Sequence, residues 1–299
     1  MQALVALGRA LAAEGYRFVT VTPETHRRVL GRAPQRARSL RDVFGWSRPF
    51  ERALLPKALI DLLAAAGALH EGEDGLRSGV RFSTRGAHLF AHSSYPTHDV
   101  DAVFFGPDTH RFCAAIERAS LRAHRLVDVG CGSGAGGIVA RAQARRVVLA
   151  DVNDDALCFS RVNAELAGIS EVELVKSDVL AQIDGDFDAV IANPPYLLDA
   201  HGRTYRDGGG DFGEALAARI VEESLARMSR GGTLLLYTGA AIVEGEDTFF
   251  RAIRETLKER AATVEYTELD PDVFGEELER PDYAAVDRIA AVVLTATRA

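Results

Sequence analysis

Two rhythms of apolar and polar residues meet near residue 100. Before it, apolar residues recur at helical spacing, as in Leu54, Leu55, Ala58, Leu59, Leu62 and Leu63, which share one helix face. Pro56 suits the first turn of that helix, where a missing N–H costs nothing. After Gly67 the pattern changes. Leu76–Val80–Phe82 and His88–Phe90–His92 alternate around Arg85-Gly86, as the two arms of a hairpin would. Helices followed by a small hairpin predict a mainly helical, winged-helix-like N-terminal domain over residues 1–100.

Beyond residue 100 short apolar runs alternate with amphipathic stretches. The expected strands are Leu126–Val129, Val147–Ala150, Val172–Val175, Phe187–Ala192, Thr233–Tyr237, Val264–Leu269 and Ile289–Thr295. The expected helices are Thr109–His124, Gly137–Ala144, Asp154–Ala167, Gly213–Met228 and Asp247–Arg260. Such alternation implies an α/β fold, a Rossmann-like parallel sheet covered on both faces, over residues 101–299. Only an acidic loop joins the last two strands, which permits an antiparallel final strand.

The first of these strands runs into Asp128-Val129-Gly130-Cys131-Gly132-Ser133-Gly134. Glycines there let the backbone turn sharply and approach a ligand that side chains would exclude, with the next helix N-terminus aimed at the same place. Asp151, followed by Val152 and Asn153, closes the second strand, where a carboxylate can accept hydrogen bonds from both hydroxyls of a ribose. These two features alone fit an S-adenosylmethionine enzyme, a nicotinamide-dinucleotide enzyme or a structural turn. Three others separate them. Asp128, two residues before Gly130, suits the charged amino-acid end of S-adenosylmethionine rather than a pyrophosphate. Ser177-Asp178-Val179 ends the third strand, where Asp178 can bond the exocyclic amine of an adenine. Asn193-Pro194-Pro195-Tyr196 ends the fourth.

With these segments the chain resembles the class I methyltransferases that carry an Asn-Pro-Pro-Tyr motif, and among them the HemK-type protein glutamine methyltransferases and the methyltransferase small-domain family. The resemblance spans residues 101–299 and includes Asp207-Gly208-Gly209-Gly210-Asp211-Phe212-Gly213. It implies S-adenosylmethionine as methyl donor, S-adenosylhomocysteine as product, and Asn193 and Pro194 as the groups that position the acceptor. Pro107-Asp108-Thr109 parallels a Pro-Glu-Thr of the family, but the Pro-Arg expected before it is absent, and residues 1–100 do not match the family's helical domain.

The residue types fit the chemistry. An amide or aromatic amine nitrogen is a poor nucleophile because its lone pair is delocalised. The Asn193 side-chain carbonyl and the Pro194 backbone carbonyl can accept from its two N–H groups, and Pro-Pro stiffens the backbone that holds them. Tyr196 can stack on a planar acceptor. The expected catalytic residues are therefore Asn193, Pro194, Pro195 and Tyr196. The expected cofactor-binding residues are Asp128, Gly130, Cys131, Gly132, Ser133, Gly134, Asp151, Val152, Asn153, Asp178, Val179 and Asn193. No metal is needed.

Charge adds one feature. The net charge is −8, yet residues 1–100 hold 14 basic against 9 acidic side chains, leaving 21 against 34 for the remainder. Nine basic residues lie between Arg27 and Lys57, against Asp42 and Glu51. They form either a face for a phosphate-bearing or ribosomal partner or a solvated helical surface. Three segments stay open in the same way. Phe104 and Phe105 line a pocket or belong to the core. Residues 207–213 form a lid or a plain connection. The acidic residues 269–283 meet a basic partner or face water. His88, His92 and His98 lack Cys or carboxylate companions at ligand spacing and read as structural. Three widely spaced cysteines suggest no disulfide framework and fit a reducing cytoplasm. No apolar run reaches the roughly 18 residues of a membrane helix. The expected function is N-methylation of a macromolecule, a protein glutamine before an RNA or DNA base (adenine N6 or guanine N2), and those before a small molecule.

Overall fold

The computed structural model describes residues 1–97, 99–199 and 203–299. The first hundred residues form helices α1 (Gln2–Ala13), α2 (Pro23–Leu30), α3 (Leu40–Phe44) and α4 (Lys57–Ala65), then strands β1 (Leu69–Gly72), β2 (Gly75–Ser78), β3 (Val80–Arg85) and β4 (His88–Ser93). Two hairpins thus stand where one is expected. Leu76 pairs with Glu71 in the first, while Val80 to Arg85 pair with Ser93 to His88 in the second. Pro56 occupies the cap of α4, one position before its first turn.

The rest of the chain follows the βα alternation: α5 (Pro107–Arg118), β5 (Ala123–Val129), α6 (Ala135–Ala140), β6 (Ala144–Asp151), α7 (Asp154–Leu166), β7 (Val172–Lys176), β8 (Ala189–Ala192), α8 (Ala215–Arg227), β9 (Thr233–Val243), β10 (Glu246–Asp247), α9 (Thr248–Arg260), β11 (Ala261–Asp270) and β12 (Arg288–Arg298). The sheet order is β11-β12-β9-β8-β5-β6-β7, with two-residue β10 attached to β9. The neighbours from β9 to β7 are parallel, and β12 runs antiparallel between β9 and β11. Every residue of β8 is buried, as expected of a strand covered on both faces. Val127, Val129, Val190, Leu234 and Leu236 face α8 and α9, whereas Leu126, Ile191 and Leu235 face α5.

The helix expected over Thr109–His124 ends at Arg118. Gln143, from the turn before β6, stops it. Its amide donates to the Ile116 carbonyl (2.7 Å) and accepts from the Leu121 N–H (2.8 Å), so the chain leaves the helix and enters β5 at Ala123.

The N-terminal elements have their own apolar cluster, including Leu7, Leu11, Phe44, Phe50, Leu63 and Phe82, and Val162 of α7 joins it. Gly8 lets α1 approach α7 closely: a Cβ there would stand 2.8 Å from the Leu166 methyls. Asn163 of α7 is fully buried and bonds both backbone groups of Ala91 in β4 (2.7 and 2.9 Å) and the Ser133 carbonyl (2.9 Å). One amide thereby ties the second hairpin to the glycine turn.

Candidate active site

Because β5 lies between β6 and β8, the chain leaves its carboxyl end in one direction and returns on the other side, which opens a crevice at the carboxyl ends of these strands. A cavity of about 700 Å³ occupies it. Of the candidate residues, all but Gly134 line this cavity: Asp128, Gly130, Cys131, Gly132 and Ser133 after β5, Asp151, Val152 and Asn153 after β6, Asp178 and Val179 after β7, and Asn193, Pro194, Pro195 and Tyr196 after β8.

The glycines act by backbone geometry. Gly130 and Gly132 have φ of 65° and 54°, and the place a Cβ would take at each is open. Gly134 caps α6 with φ 74° and serves packing instead, since a Cβ would meet Ser160 Oγ at 2.9 Å. Cys131 turns its thiol inward toward Ser160 (3.3 Å), and burial pushes that thiol well above its ordinary range. It offers the cavity backbone rather than sulfur chemistry.

Two buried carboxylates face this cradle. Asp128 accepts from the Gly137 N–H of α6 at 2.7 Å, and burial pushes its carboxyl up to about 7 against that bond. Asp151 accepts from the N–H groups of Asn153 (3.0 Å) and Gly132 (2.8 Å), and burial raises its carboxyl as well. An open glycine cradle with two buried acids favours an elongated, polar, cationic occupant. S-adenosylmethionine, with its ribose, ammonium and sulfonium, fits that description. The Asn153 side chain is committed elsewhere: it caps α7 through the Asp155 N–H (2.8 Å) and donates to the Asp101 carbonyl (2.8 Å).

Asp178 differs from expectation. Arg219 of α8 binds both its carboxylate oxygens, at 2.8 and 3.0 Å, so an adenine amine would have to share or displace that guanidinium. The pair is about half exposed, and pairs of that kind contribute only about 0–1 kcal/mol. Val179 beside it holds φ 51°.

At the end of β8 neither the Asn193 side chain nor the Pro194 carbonyl has a hydrogen-bond partner among the described residues. Two acceptors are therefore free on one cavity wall. The glycine-rich segment packs against the residues that directly follow them. Gly208 N donates to the Leu197 carbonyl (2.8 Å), and Cβ atoms at Gly208 and Gly213 would lie 2.7 Å from Pro195 O and 2.2 Å from Tyr196 O. Residues 207–213 are thus packed against the motif's own carbonyls.

Tyr196 is placed otherwise than as a stacking platform. Its ring lies over Gly239, where a Cβ would come within 2.1 Å, meets Phe274 edge-on at 5.9 Å, and leaves 7% of the residue exposed. Its hydroxyl donates to Asp108 Oδ2 and that of Tyr237 donates to Oδ1, both at 2.7 Å. Arg111 bridges Asp108 (3.1 Å) and Asp270 (2.8 Å). Burial, with Asp108 alongside, pushes the Tyr196 phenol well above its usual range, so it stays a donor. Sequence reasoning missed this network; Pro107-Asp108-Thr109, the parallel of the family's Pro-Glu-Thr, is the signal that could have found it.

The phenylalanine pair divides. Phe105 is fully buried against Phe90 and His92, while Phe104 lines the cavity and stacks on Tyr205 (5.7 Å, 12°). Tyr205 in turn donates to the Thr97 carbonyl (3.0 Å), and Glu24, Arg27 and Tyr95 line the same cavity. The N-terminal region therefore helps to form it, which no local pattern had indicated. His92 bonds Ser83 Oγ (2.8 Å) and the Ser93 carbonyl (3.1 Å), His88 sits at the hairpin turn, and His98 lies outside the described residues. The acidic segment 269–283 folds back through two short turns: Arg280 binds Glu277 (2.9 Å) and the Leu198 carbonyl (2.7 Å), and the Tyr283 hydroxyl accepts from the Leu198 N–H (2.8 Å). Among the described residues no helix is long and apolar enough to cross a membrane.

Comparison with known proteins agrees with the fold. A family model described as methyltransferase small domain matches residues 109–264, just over half of the chain. The release factor glutamine methyltransferase of Deinococcus radiodurans is 32% identical over 154 residues, covering 47% of this chain and 55% of the relative. The ribosomal RNA small subunit methyltransferase C of Chromohalobacter salexigens is 30% identical over 116 residues, covering 39% and 32%. The chain thus spans about half or less of these relatives' length. The crystal structure of M. jannaschii TYW2 in complex with AdoMet superposes with a TM-score of 0.51 at 13% identity, covering 75% of this chain and 90% of that one, a likeness of fold.

Proposed function

The chain belongs to the methyltransferase small domain family, a class of S-adenosylmethionine-dependent enzymes, and we propose that it methylates a planar amide nitrogen, that of a protein glutamine side chain. The observation that carries this reading is the pair of acceptors, Asn193 and Pro194, without a partner among the described residues, on the wall of the cavity that also holds the glycine cradle.

The cradle of Gly130 and Gly132 with Asp128 and Asp151 would hold the cofactor, whose sulfonium supplies an electrophilic methyl group. The residues then have little chemistry to perform. Asn193 Oδ1 and Pro194 O accept from the two N–H groups of the carboxamide, orient its lone pair and favour electron density on nitrogen. Gly208 and Gly213 pack against the carbonyls of Pro195 and Tyr196, the next two residues of the motif, and Phe104 with Tyr205 limits water. No tuned base is required, because the proton can leave after transfer.

The buried Tyr196 supports an amide over a nucleobase. An extruded base is normally read between stacking side chains, and at 7% exposure Tyr196, the motif's own aromatic, has little ring left for that role. The Deinococcus relative's name agrees with the same acceptor. The test is transfer of labelled methyl from S-adenosylmethionine into a methylation-deficient lysate, with Asn193→Ala as control. Label removed by protease, and recovered as methylated glutamine after exhaustive enzymatic digestion or as methylamine after acid hydrolysis, is the expected result. Label removed only by nuclease would move the acceptor to a base.

A further inference from the structure

The basic stretch of the N-terminal region leaves some cations over. Six of its nine are engaged: Arg27 and Arg28 share Glu24, Arg36 meets Glu51, Arg52 meets Glu71, Lys57 meets Asp61, and buried Arg48 donates to the Val29 (2.9 Å) and Arg32 (3.4 Å) carbonyls. Arg32, Arg38 and Arg41 have no ion pair among the described residues, and neither does Arg17 just before the stretch.

Arg17 and Arg41, both exposed, line a single shallow hollow of about 410 Å³ with Val19 and Trp46. Val19 is 58% exposed, an apolar side chain left in water. Trp46 is held rather than loose, edge-on against Phe18 (5.1 Å, 84°) and tilted against His26 (5.1 Å, 51°). His26 also packs on Tyr95 (4.0 Å), which lines the methyl-transfer cavity, so the hollow stands two ring contacts from that cavity.

We propose that this hollow docks a short single-stranded stretch of RNA, with a base against Trp46 and Val19 and flanking phosphates on Arg17 and Arg41. Free guanidiniums bind phosphate through paired N–H donors, and an aromatic side chain in the same hollow adds sequence-tolerant stacking. An acidic peptide would satisfy the arginines but bring no planar group for the indole. Duplex DNA keeps its bases stacked and its base faces hidden, whereas RNA loops expose them. The inference is independent of which nitrogen is methylated.

The chain has one tryptophan, so Trp46 fluorescence reports the hollow directly. The full-length protein, without cofactor, is titrated with an oligouridylate of about ten nucleotides, and binding is repeated by anisotropy of the labelled oligomer. Saturable quenching is expected, with log K falling against log salt at a slope of about −1.4 for two phosphates. The double variant Arg17→Ala/Arg41→Ala is expected to bind at least tenfold less tightly with an unchanged unfolding midpoint. A charge-matched control, Arg52→Ala/Lys57→Ala, removes two cations already in ion pairs and is expected to bind like wild type. Equal weakening in both variants would make the attraction diffuse and overturn the site. Stronger quenching by polyglutamate or by the deoxy oligomer would overturn the RNA assignment.

Discussion

Asp108 joins the acceptor motif to the body of the sheet, and its removal has a calculable cost. In Asp108→Ala the hydroxyls of Tyr196 and Tyr237 both lose their acceptor inside the core. Each buried donor left unsatisfied costs about 1–3 kcal/mol, so the pair should cost about 2–6 kcal/mol. Arg111 keeps Asp270, so its contribution is small. Loss of a carboxylate from the first turn of α5 adds about 0.3–1 kcal/mol through the helix dipole. Urea unfolding followed by far-ultraviolet circular dichroism measures the sum. The decisive comparison is the triple variant Asp108→Ala/Tyr196→Phe/Tyr237→Phe. With the hydroxyls gone as well, no donor is orphaned, and most of the lost stability should return although more hydrogen bonds are missing. A triple variant no more stable than Asp108→Ala would refute the reasoning. So would a single-variant cost under about 1 kcal/mol, since the hydroxyls would then have found other acceptors.

Three other outcomes follow from the site. Asp128, raised from 3.8 to about 7 by burial, keeps a proton in the folded state that the unfolded chain releases, so its contribution to stability is full below about pH 4 and is lost as pH rises toward 7. Asp128→Asn lacks that loss and should gain on wild type between pH 5 and pH 8; an equal gap in urea midpoint at both values would contradict it. Gly213→Ala puts a Cβ 2.2 Å from Tyr196 O at a φ of 95°, so methyl transfer should fall about 100-fold while S-adenosylhomocysteine affinity by calorimetry stays within a few fold. An equal loss of both would mean that the glycine segment supports the cofactor instead. Arg219→Ala frees Asp178 and should tighten S-adenosylhomocysteine up to about fivefold, the equivalent of an exposed ion pair; weaker binding would show that the pair itself shapes the pocket.

What the chain's pattern made legible was whatever rests on local rules. The central strands could be read because a buried parallel strand must be apolar throughout, and the turn at Gly130 and Gly132 could be read because a steric demand is written into the residue itself. Tyr196 shows where such reading stops. As a residue type it suits stacking, and its neighbours Asn193 and Pro194 invite that role. Its actual use depends on Asp108, 88 residues away, and on Tyr237, whose own link to Asp108 spans 129 residues. Asp178 likewise meets Arg219, 41 residues on, and the end of α5 is set by Gln143, 27 residues beyond Ile116. In each case a polar side chain takes a partner that only the fold supplies, and the partner decides its role.

The same logic explains why the N-terminal region resisted interpretation. Its basic run looks uniform along the chain, yet folding sorts the cations into three groups: one buried on carbonyl oxygens, several neutralised by nearby acids, and a few left free. Only the free ones can attract a partner, and two of them converge on the one indole in the protein. Other residues of the region, Glu24, Arg27 and Tyr95, line the candidate active-site cavity. Trp46 and Tyr95 both pack on His26, so binding energy gained at the hollow, away from the reacting nitrogen, can be spent on orienting the acceptor.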